Sequence, residues 1–303
     1  MDIKQKSLPK KRIQKQADLS KGKPQLLLSI ITPAFNEGAI IRQNLERLYR
    51  YMEKSDPSRQ WEMIIINDGS KDNTGELAEQ FAKNRDNIIV HHNIVNLNLG
   101  RALQTGFALA RGQYVVVMDI DLTYSEDHIH QLLGKIIETD ADCVLASPYM
   151  KGGKSTAVPF FRLLLSKVVN RMMRIMSPIK VHTFTGMVRI YKAEFLKKLN
   201  LKSTTYSINP EIIYKGAILR ARIEEIPAHL DWSDQKQTSR SSSIRIFRGI
   251  MAGLMSGFIF RPYFFFMGIG LFLFIVASYI IVWIFIHTFT VLPEIATANI
   301  DFE

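Results

Sequence analysis

Acidic and polar residues follow three apolar runs of the sequence, and their types suit the binding of a metal ion and a diphosphate. Asp119 and Asp121 come directly after the run Tyr114–Met118. An isolated Asp-x-Asp triplet also occurs in ordinary solvated turns. Two further polar segments, however, follow apolar runs in the same way, as Pro33-Ala34-Phe35-Asn36-Glu37 after Leu26–Thr32 and as Asn67-Asp68-Gly69-Ser70 after Met63–Ile66. Together they favour a nucleotide-sugar site over coincidental turns.

Asp119 and Asp121 are the candidate metal ligands. Mg²⁺ and Mn²⁺ prefer oxygen ligands and accept a site made of one or two carboxylates with phosphates and water. A cation held there can neutralise the diphosphate that leaves when a glycosidic bond to a nucleotide breaks. Because the strand has already ended, both side chains can reach one site, and we expect Asp121 to contact the metal directly.

The other strand-end residues are candidates for holding the nucleoside. Asp68 can accept from the N–H groups of a base. It could instead cap the turn, although Asp72 or Thr74 could do that for the following helix. Pro33 and Phe35 could form an apolar wall against the base or ribose, and Glu37 could accept a hydrogen bond from a ribose hydroxyl.

The start of another predicted helix supplies a candidate phosphate site. In the segment Asn98-x-Gly100-Arg101, Gly100 permits close approach of the backbone. Helix N-termini attract phosphate, and Arg101 adds positive charge.

The pattern that positions these residues is an alternation of β-rich runs and amphipathic helical stretches. Such an alternation predicts an α/β fold with a mostly parallel sheet and helices on both faces. Ligands of such sheets bind at the carboxyl ends of the strands, where the polar segments fall. The predicted strands are Leu26–Thr32, Met63–Asn67, Ile88–His92, Tyr114–Met118 and Cys143–Ser147, and the helices Ala39–Lys54, Thr74–Lys83, Gly100–Ala110 and Glu126–Thr139.

A basic amphipathic helix is predicted over Pro159–Met176. Its polar and basic residues occupy one half of the helix, and apolar residues fill most of the other. This pattern is typical of a helix in a membrane interface and equally of a core-packing helix with a solvated basic face. Further along, Asn209 is a candidate N-cap with Pro210 at the first helical position, and Arg222–Pro227 is a predicted strand.

The run Tyr263–Ile286 contains no charged residue and exceeds the roughly 20 residues needed to cross a bilayer. We therefore predict a single transmembrane helix rather than a buried core helix, and an interfacial segment at Gly249–Phe260. Arginines precede the span and acids follow it, so the positive-inside rule places the catalytic domain in the cytoplasm, at the cytoplasmic membrane. These residues are Arg240, Arg245, Arg248 and Arg261 before it, and Glu294, Asp301 and Glu303 after it.

Charge and cysteine content narrow the partners and the compartment. The net charge of +11 lacks an accompanying nucleic-acid motif, and a membrane surface accounts for it equally well. The lysine-rich N-terminus has no apolar region of a signal peptide. It predicts a disordered arm that contacts anionic lipid or merely solubilises the protein. Cys143 is the only cysteine, so the chain forms no internal disulfide, which fits a reducing cytosol.

These signals divide the chain into successive segments. We predict a basic arm at 1–25, a catalytic domain at 26–232, a polar loop with a juxtamembrane helix at 233–262, a transmembrane helix at 263–287 and a short outer tail at 288–303.

The ordered motifs resemble the inverting glycosyltransferases of family 2, which have a GT-A fold. The resemblance covers Ser29–Trp232 and is closest to the polyprenyl-phosphate glycosyltransferases, a group that includes dolichyl-phosphate mannose synthases. It implies that Asp68 contacts the base and that Asp119 and Asp121 bind metal and diphosphate. Thr123 stands where those synthases usually place a metal-binding Gln, and it can still offer an oxygen.

The resemblance also implies a lipid phosphate acceptor, whose ionised oxygen is already a nucleophile. Such an acceptor requires capture by cations. Arg162, Ser166 and Asn170 match the family's Arg-x-x-x-Ser-x-x-x-Asn helix, and Arg189 closes a Gly-x-x-Arg turn. Each arginine could instead be an ordinary surface or salt-bridged charge. Ser147 lies where the family often has Ser and a basic residue, but Pro148 follows it here.

We therefore predict a membrane-bound transferase that moves a sugar from a nucleotide donor to polyprenyl phosphate at the cytoplasmic leaflet. The alternatives are a family 2 transferase with another glycan or lipid acceptor, and a non-catalytic membrane scaffold. Retention of Asp119 and Asp121 disfavours the scaffold. A processive synthase is disfavoured because the chain has no Gln-x-x-Arg-Trp motif. A homo-oligomer is compatible with the sequence.

Overall fold

The computed structural model describes residues 27–58, 60–233 and 262–298. Within them the strands are β1 Leu28–Ala34, β2 Trp61–Asn67, β3 Ile88–His92, β4 Tyr114–Val117, β5 Cys143–Ser147, β6 Lys154–Thr156, β7 Arg189–Lys192, β8 Ile223–Pro227 and β9 His229–Asp231. The helices are α1 Ile41–Ser55, α2 Thr74–Ala82, α3 Leu99–Leu109, α4 His128–Thr139, α5 Phe160–Met176, α6 Ala193–Lys198, α7 Ile208–Ile218 and α8 Pro262–Ala298.

The main sheet has the strand order β3-β2-β1-β4-β7-β5-β8. All its pairings are parallel except those of β7, which runs antiparallel between β4 and β5. The predicted mostly parallel α/β fold is confirmed. Strand β7 was not predicted, because its four residues begin with a charged Arg189 and resemble the end of a turn.

Helices cover both faces of this sheet because successive residues of each buried strand point to opposite sides. Ile30 of β1 packs with residues of α1 and α4, whereas the next residue, Ile31, packs with residues of α3 and α7. Burial on both faces explains why the central strands are nearly continuous apolar runs rather than alternating ones.

A second sheet of two strands lies beside the Asp-x-Asp segment. Strands β6 and β9 pair in parallel, and the amide of Asp231 donates to the carbonyl of Thr123 at 2.9 Å. The amide of the next residue, Trp232, donates to the carbonyl of Thr156 at 3.0 Å. The chain that follows β8 is therefore attached to the turn that carries Asp121.

One local prediction, the N-cap of α7, needs correction, and another, the interfacial segment, lies outside the described residues. Helix α7 begins at Ile208 after Ser207, so Asn209 is not its N-cap. Asn209 is instead buried in the first turn, where its carbonyl accepts from Arg189. The predicted interfacial segment Gly249–Phe260 lies outside the described residues, as does most of the predicted polar loop.

Helix α8 is longer than the predicted span. Its segment Phe266–Phe289 has a mean hydropathy of 2.8, and its most apolar part is not buried against the rest of the protein. By length and composition this segment can cross a membrane.

Candidate active site

The structure places the predicted acidic residues at one edge of the sheet. Strand β1 lies between β2 and β4, and all three are parallel, so their carboxyl ends meet. Glu37 follows β1, Asp68 follows β2, and Asp119 follows β4. The cleft at this edge therefore has carboxylates from three neighbouring strand ends.

The turn that carries the two aspartates is held from both sides. Asn44 on α1 donates through Nδ2 to the carbonyl of Ile120 at 2.8 Å. Within the turn, the amide of Leu122 donates to the carbonyl of Asp119 at 3.1 Å, and the amide of Thr123 donates to Oδ1 of Asp121 at 3.2 Å. Leu122 adopts a positive φ of 49°, a conformation that a packed surrounding structure must stabilise.

The electrostatics of this turn suit a cation. Burial raises the pKa of Asp119 well above its usual range, and the nearby carboxylates of Asp121 and Glu37 raise it further. Like charges this close are destabilising until a positive group joins them. A divalent cation would supply that charge.

Protein ligands at this edge are few. Among the described residues, no group of three or more His, Cys, Asp or Glu side chains is arranged to hold a metal ion by itself. Mg²⁺ is commonly held by one or two carboxylates that share it with substrate phosphates and water. Asp119 and Asp121 fit that kind of site, in which the substrate completes the ligand set.

Asp68 is positioned as a buried acceptor rather than as a helix cap. Its Oδ1 accepts from Nδ2 of Asn93 at 2.8 Å and from the amide of Leu97 at 3.0 Å. The turn before α2 is instead held by Asp72, which accepts from the amides of Thr74 and Gly38 at 3.1 and 3.0 Å. Asn93 was not predicted as a site residue. It is nonetheless a polar residue directly after β3, like the polar residues that follow β1, β2 and β4.

A glycine fixes the loop that shields Asp68. Gly69 has a φ of +67°, and a Cβ there would lie 2.3 Å from the carbonyl carbon of Val95. Only glycine allows this close approach without a shift of the backbone. The segment after β3 is therefore held against the segment after β2.

The predicted nucleoside wall lies beside these carboxylates. Pro33 and Phe35 are half-buried at the end of β1. Glu37 is buried, and its amide donates to Oγ1 of Thr74 at 2.8 Å. The structure thus places all three near Asp68 at the carboxyl edge of the sheet, and their contacts with a nucleoside stay predictions.

At the start of α3, where a phosphate site was predicted, protein backbone lies against Gly100. Gly100 is buried beneath residues 203–204, because a Cβ there would lie 2.3 Å from the carbonyl oxygen of Ser203. The amide of Arg101 donates to the carbonyl of Thr204 at 3.3 Å, and its exposed side chain donates to Gln104. The close approach that Gly100 permits is thus taken by protein backbone, and contact of Gly100 and Arg101 with a diphosphate stays a prediction.

On the acceptor side, three of the predicted polar residues bind protein groups. Asn170 accepts through Oδ1 from the amide of Phe184 at 2.6 Å. Ser166 accepts from the hydroxyl of Tyr149 at 2.7 Å. Ser147 is fully buried and shares a 2.7 Å hydrogen bond with the hydroxyl of Thr183. The hydroxyl of Ser147 therefore lies in the interior, and its contact with a ligand stays a prediction.

Arg189 is also a structural residue. It is fully buried, and its guanidinium donates to three backbone carbonyls. These belong to Gly186 at 2.7 Å, Phe184 at 2.6 Å and Asn209 at 2.9 Å. These bonds give Arg189 a structural role, and its predicted contact with an acceptor phosphate stays a prediction. The side chain fastens the 184–186 turn to α7.

Arg162 has the opposite setting. Its side chain is exposed, and its guanidinium carbon lies 4.0 Å from the centroid of the Trp232 ring. Partial burial lowers its pKa, whereas Tyr206, Tyr149 and Asp121 favour the charged form. Arg162 makes no hydrogen bond or ion pair with any residue in the described ranges. It is therefore a cation that interacts electrostatically with Asp121 and whose N–H donors no described residue accepts from.

Residues 29–199 match the family model described as "Glycosyl transferase family 2". The chain belongs to glycosyl transferase family 2. Its transferase fold is GT-A.

Two curated relatives are similar to this family 2 transferase. The polyprenol monophosphomannose synthase of Mycolicibacterium smegmatis is 32% identical over 205 residues, which cover 65% of this chain and 75% of the relative. The dolichol-phosphate mannosyltransferase of Pyrococcus furiosus is 30% identical over 203 residues, which cover 66% of this chain and 55% of the relative. The chain thus spans little more than half the length of the second relative.

Solved structures match the fold of the transferase. The mannosyltransferase PcManGT from Pyrobaculum calidifontis, in complex with GDP-Man and Mn²⁺, has a TM-score of 0.53 and 18% identity, and the match covers 82% of this chain and 69% of that chain. Mannosyl-3-phosphoglycerate synthase from Rubrobacter xylanophilus has a TM-score of 0.56 and 13% identity, and the match covers 80% of this chain and 74% of that chain.

Proposed function

We propose that this family 2 transferase moves a sugar from a nucleoside diphosphate donor to a polyprenyl phosphate, with inversion at the anomeric carbon. One observation carries the proposal. The guanidinium of Arg162 packs on the Trp232 ring, makes no hydrogen bond with any residue that the structure describes, and interacts electrostatically with Asp121. A cation suited to an acceptor phosphate thus lies near an acid suited to the donor.

The curated relatives support this acceptor class. The names of the two relatives describe mannose transfer to polyprenol or dolichol phosphate.

On the donor side, Asp68 accepts from the base, while Pro33 and Phe35 pack against the nucleoside and Glu37 accepts from the ribose. Asp119 and Asp121 would hold Mg²⁺ or Mn²⁺ together with the diphosphate, with Thr123 as a third candidate oxygen. When bound, the cation neutralises the negative charge that develops on the departing nucleoside diphosphate.

On the acceptor side, the phosphate needs capture rather than deprotonation. A phosphate monoester is already ionised near neutral pH, so its oxygen can attack the anomeric carbon without a general base. As that bond forms, the bond from the anomeric carbon to the donor's phosphate oxygen breaks, and the nucleoside diphosphate leaves with its electron pair. Arg162 would bind the acceptor phosphate through charge-assisted hydrogen bonds and orient this oxygen.

Helix α5 would bring the acceptor site to the lipid surface. Its exposed apolar side chains are contiguous along one side, and basic residues flank them, which favours the membrane-interface alternative over core packing. With α8 crossing the bilayer, the catalytic domain would lie on the cytoplasmic side of the cytoplasmic membrane. The exposed apolar residues of α5 are Phe160, Phe161, Leu164, Val168, Met172 and Ile175.

The test is sugar transfer from radiolabelled UDP- and GDP-sugars to undecaprenyl phosphate in detergent. Wild type and Asp121→Asn would be compared with Mg²⁺, with Mn²⁺ and with EDTA. We expect a labelled lipid from wild type alone, and its loss with EDTA. Donor hydrolysis without a lipid product would favour another glycan or lipid acceptor. Absence of donor binding by the wild type would favour a non-catalytic scaffold.

A further inference from the structure

We propose that Trp232 is a positioning residue for the acceptor site: its indole holds Arg162 by the guanidinium face, so that the N–H edges of Arg162 stay available for the acceptor phosphate. This inference rests on the proposed function and deepens it. Neither the Arg-x-x-x-Ser-x-x-x-Asn motif nor the Asp-x-Asp motif includes Trp232.

The first argument is the geometry of the stack. The guanidinium carbon of Arg162 lies 4.0 Å from the centroid of the Trp232 ring, within the range of a cation–π contact. A guanidinium is planar and carries its five N–H donors in that plane. Stacking uses only the face of the plane. The donors remain free for a ligand, and no described residue accepts from them.

Arg189 shows the contrasting way to hold an arginine. Its guanidinium is fixed by its edges, through hydrogen bonds to the carbonyls of Gly186, Phe184 and Asn209. Those bonds use three of its five N–H donors, and the whole side chain is buried. The protein thus holds one arginine by its N–H edges, in the interior, and the other by its face, at the surface.

The second argument is that Trp232 is itself attached to the catalytic edge. Its amide donates to the carbonyl of Thr156 at 3.0 Å, and the amide of Asp231 donates to the carbonyl of Thr123 at 2.9 Å. Thr123 in turn donates to Asp121. These hydrogen bonds therefore fix the backbone that carries the indole relative to the Asp-x-Asp turn.

The third argument is charge. A carboxylate in place of the indole would also hold Arg162, but it would neutralise the charge and occupy its donors. An aromatic face attracts the cation without cancelling its net charge. A site that must bind a phosphate beside Asp121 and near Asp119 needs that full positive charge.

The experiment compares full-length Trp232→Phe and Trp232→Leu in the transfer assay with undecaprenyl phosphate. We expect Trp232→Leu to raise the KM for the lipid phosphate by roughly five- to tenfold and to leave the KM for the nucleotide sugar unchanged. Trp232→Phe should recover most of the affinity because it restores an aromatic face. Trp283→Phe, in α8, serves as a matched tryptophan control.

A double-mutant cycle separates positioning from a general structural role. In an Arg162→Ala background, Trp232→Leu should have no further effect on acceptor KM, because the group it positions is absent. Equal effects of Trp232→Leu with and without Arg162 would overturn the proposal. An equal rise in the KM values of donor and acceptor would also overturn it.

A binding measurement keeps the inference separate from the proposed function. Affinity for farnesyl phosphate, measured by calorimetry without a sugar donor, should fall in Trp232→Leu and recover in Trp232→Phe. If wild type binds farnesyl phosphate and Trp232→Leu binds it equally well, the positioning role fails while the proposed function stands. If wild type neither binds this probe nor transfers sugar to a lipid, the proposed function fails and the inference fails with it.

Discussion

Asn44 donates from its side chain to the backbone carbonyl of Ile120 at 2.8 Å, across 76 residues of sequence. Ile120 is the middle residue of the Asp-x-Asp segment, so this bond ties the turn with both candidate metal ligands to helix α1. Neither side chain carries out chemistry. The bond nonetheless determines where the carboxylates of Asp119 and Asp121 lie.

We expect Asn44→Ala to weaken metal binding more than it lowers the free energy of unfolding. One hydrogen bond contributes about 1 kcal/mol, so kcat/KM should fall by about fivefold and the Mn²⁺ concentration for half-maximal activity should rise. Gln43→Ala, at the exposed neighbouring position of α1, is the control. An unchanged metal titration curve for Asn44→Ala would contradict this role.

Asp68→Asn should impair donor binding selectively. The variant keeps the shape of the side chain and one acceptor oxygen. It loses the negative charge and the second oxygen that could accept a hydrogen bond from a base. We expect the KM for the nucleotide sugar to rise by about 10- to 100-fold, with little change in the KM for the lipid. The exposed Asp86→Asn is the control, and titration of bound UDP or GDP provides an independent measurement.

The pH dependence of stability should report on Asp119. Its pKa in the folded protein is raised by burial and by Asp121 and Glu37. A raised folded pKa contributes stability that is fully present below the unfolded pKa and is lost as pH rises through the folded value. In EDTA, the Tm should therefore fall as pH rises through that window.

Mn²⁺ should offset this loss, since a cation favours the charged carboxylates, so the Tm increase on adding Mn²⁺ should grow with pH. Asp119→Asn should remove the carboxyl's contribution and flatten the pH dependence in EDTA. Differential scanning fluorimetry across pH, with and without Mn²⁺, measures both effects. An identical pH profile for wild type and Asp119→Asn would show that another group is responsible.

Replacement of the two arginines by lysine should give opposite phenotypes. An ammonium at position 189 cannot reach three separate carbonyls, so Arg189→Lys should cost about 3 kcal/mol of the free energy of unfolding. Arg162→Lys should leave stability near that of wild type, but raise the acceptor KM, because it loses both the stacked plane and the bidentate donors. Urea unfolding and acceptor kinetics on both variants test this contrast.

Labelling of α5 tests its contact with lipid. Burial raises the pKa of the single native Cys143 to about 12, so a thiol reagent should react mainly with an introduced cysteine. A polarity-sensitive fluorophore is attached to Phe161→Cys, and its emission is compared for protein in amphipol without detergent and protein in anionic vesicles. The emission should shift to shorter wavelength in the vesicles. The same label on Ile137→Cys, an exposed apolar position on α4, should not. Equal shifts at both sites would argue against interfacial docking of α5.

Several features followed from the sequence because they depend on local pattern. Continuous apolar runs ending in polar residues predicted β3 and β5 with their observed bounds, and β1, β2 and β4 within two residues. The parallel sheet then required that Glu37, Asp68 and Asp119 meet at one edge, since parallel strands share a carboxyl end. The apolar run near the C-terminus likewise predicted a helix long enough to cross a membrane.

Contacts between distant segments were decided only by the tertiary structure. Arg162 and Arg189 are equivalent candidates in the sequence, but burial commits Arg189 to three carbonyls, whereas Arg162 packs on Trp232 and donates to no residue in the described ranges. Gly100 permits close approach of any group, and the fold supplies the backbone of Ser203 rather than a phosphate. Residue types and local spacing determine which chemistry is available, whereas packing between segments far apart in sequence decides which side chains have donors left to perform it.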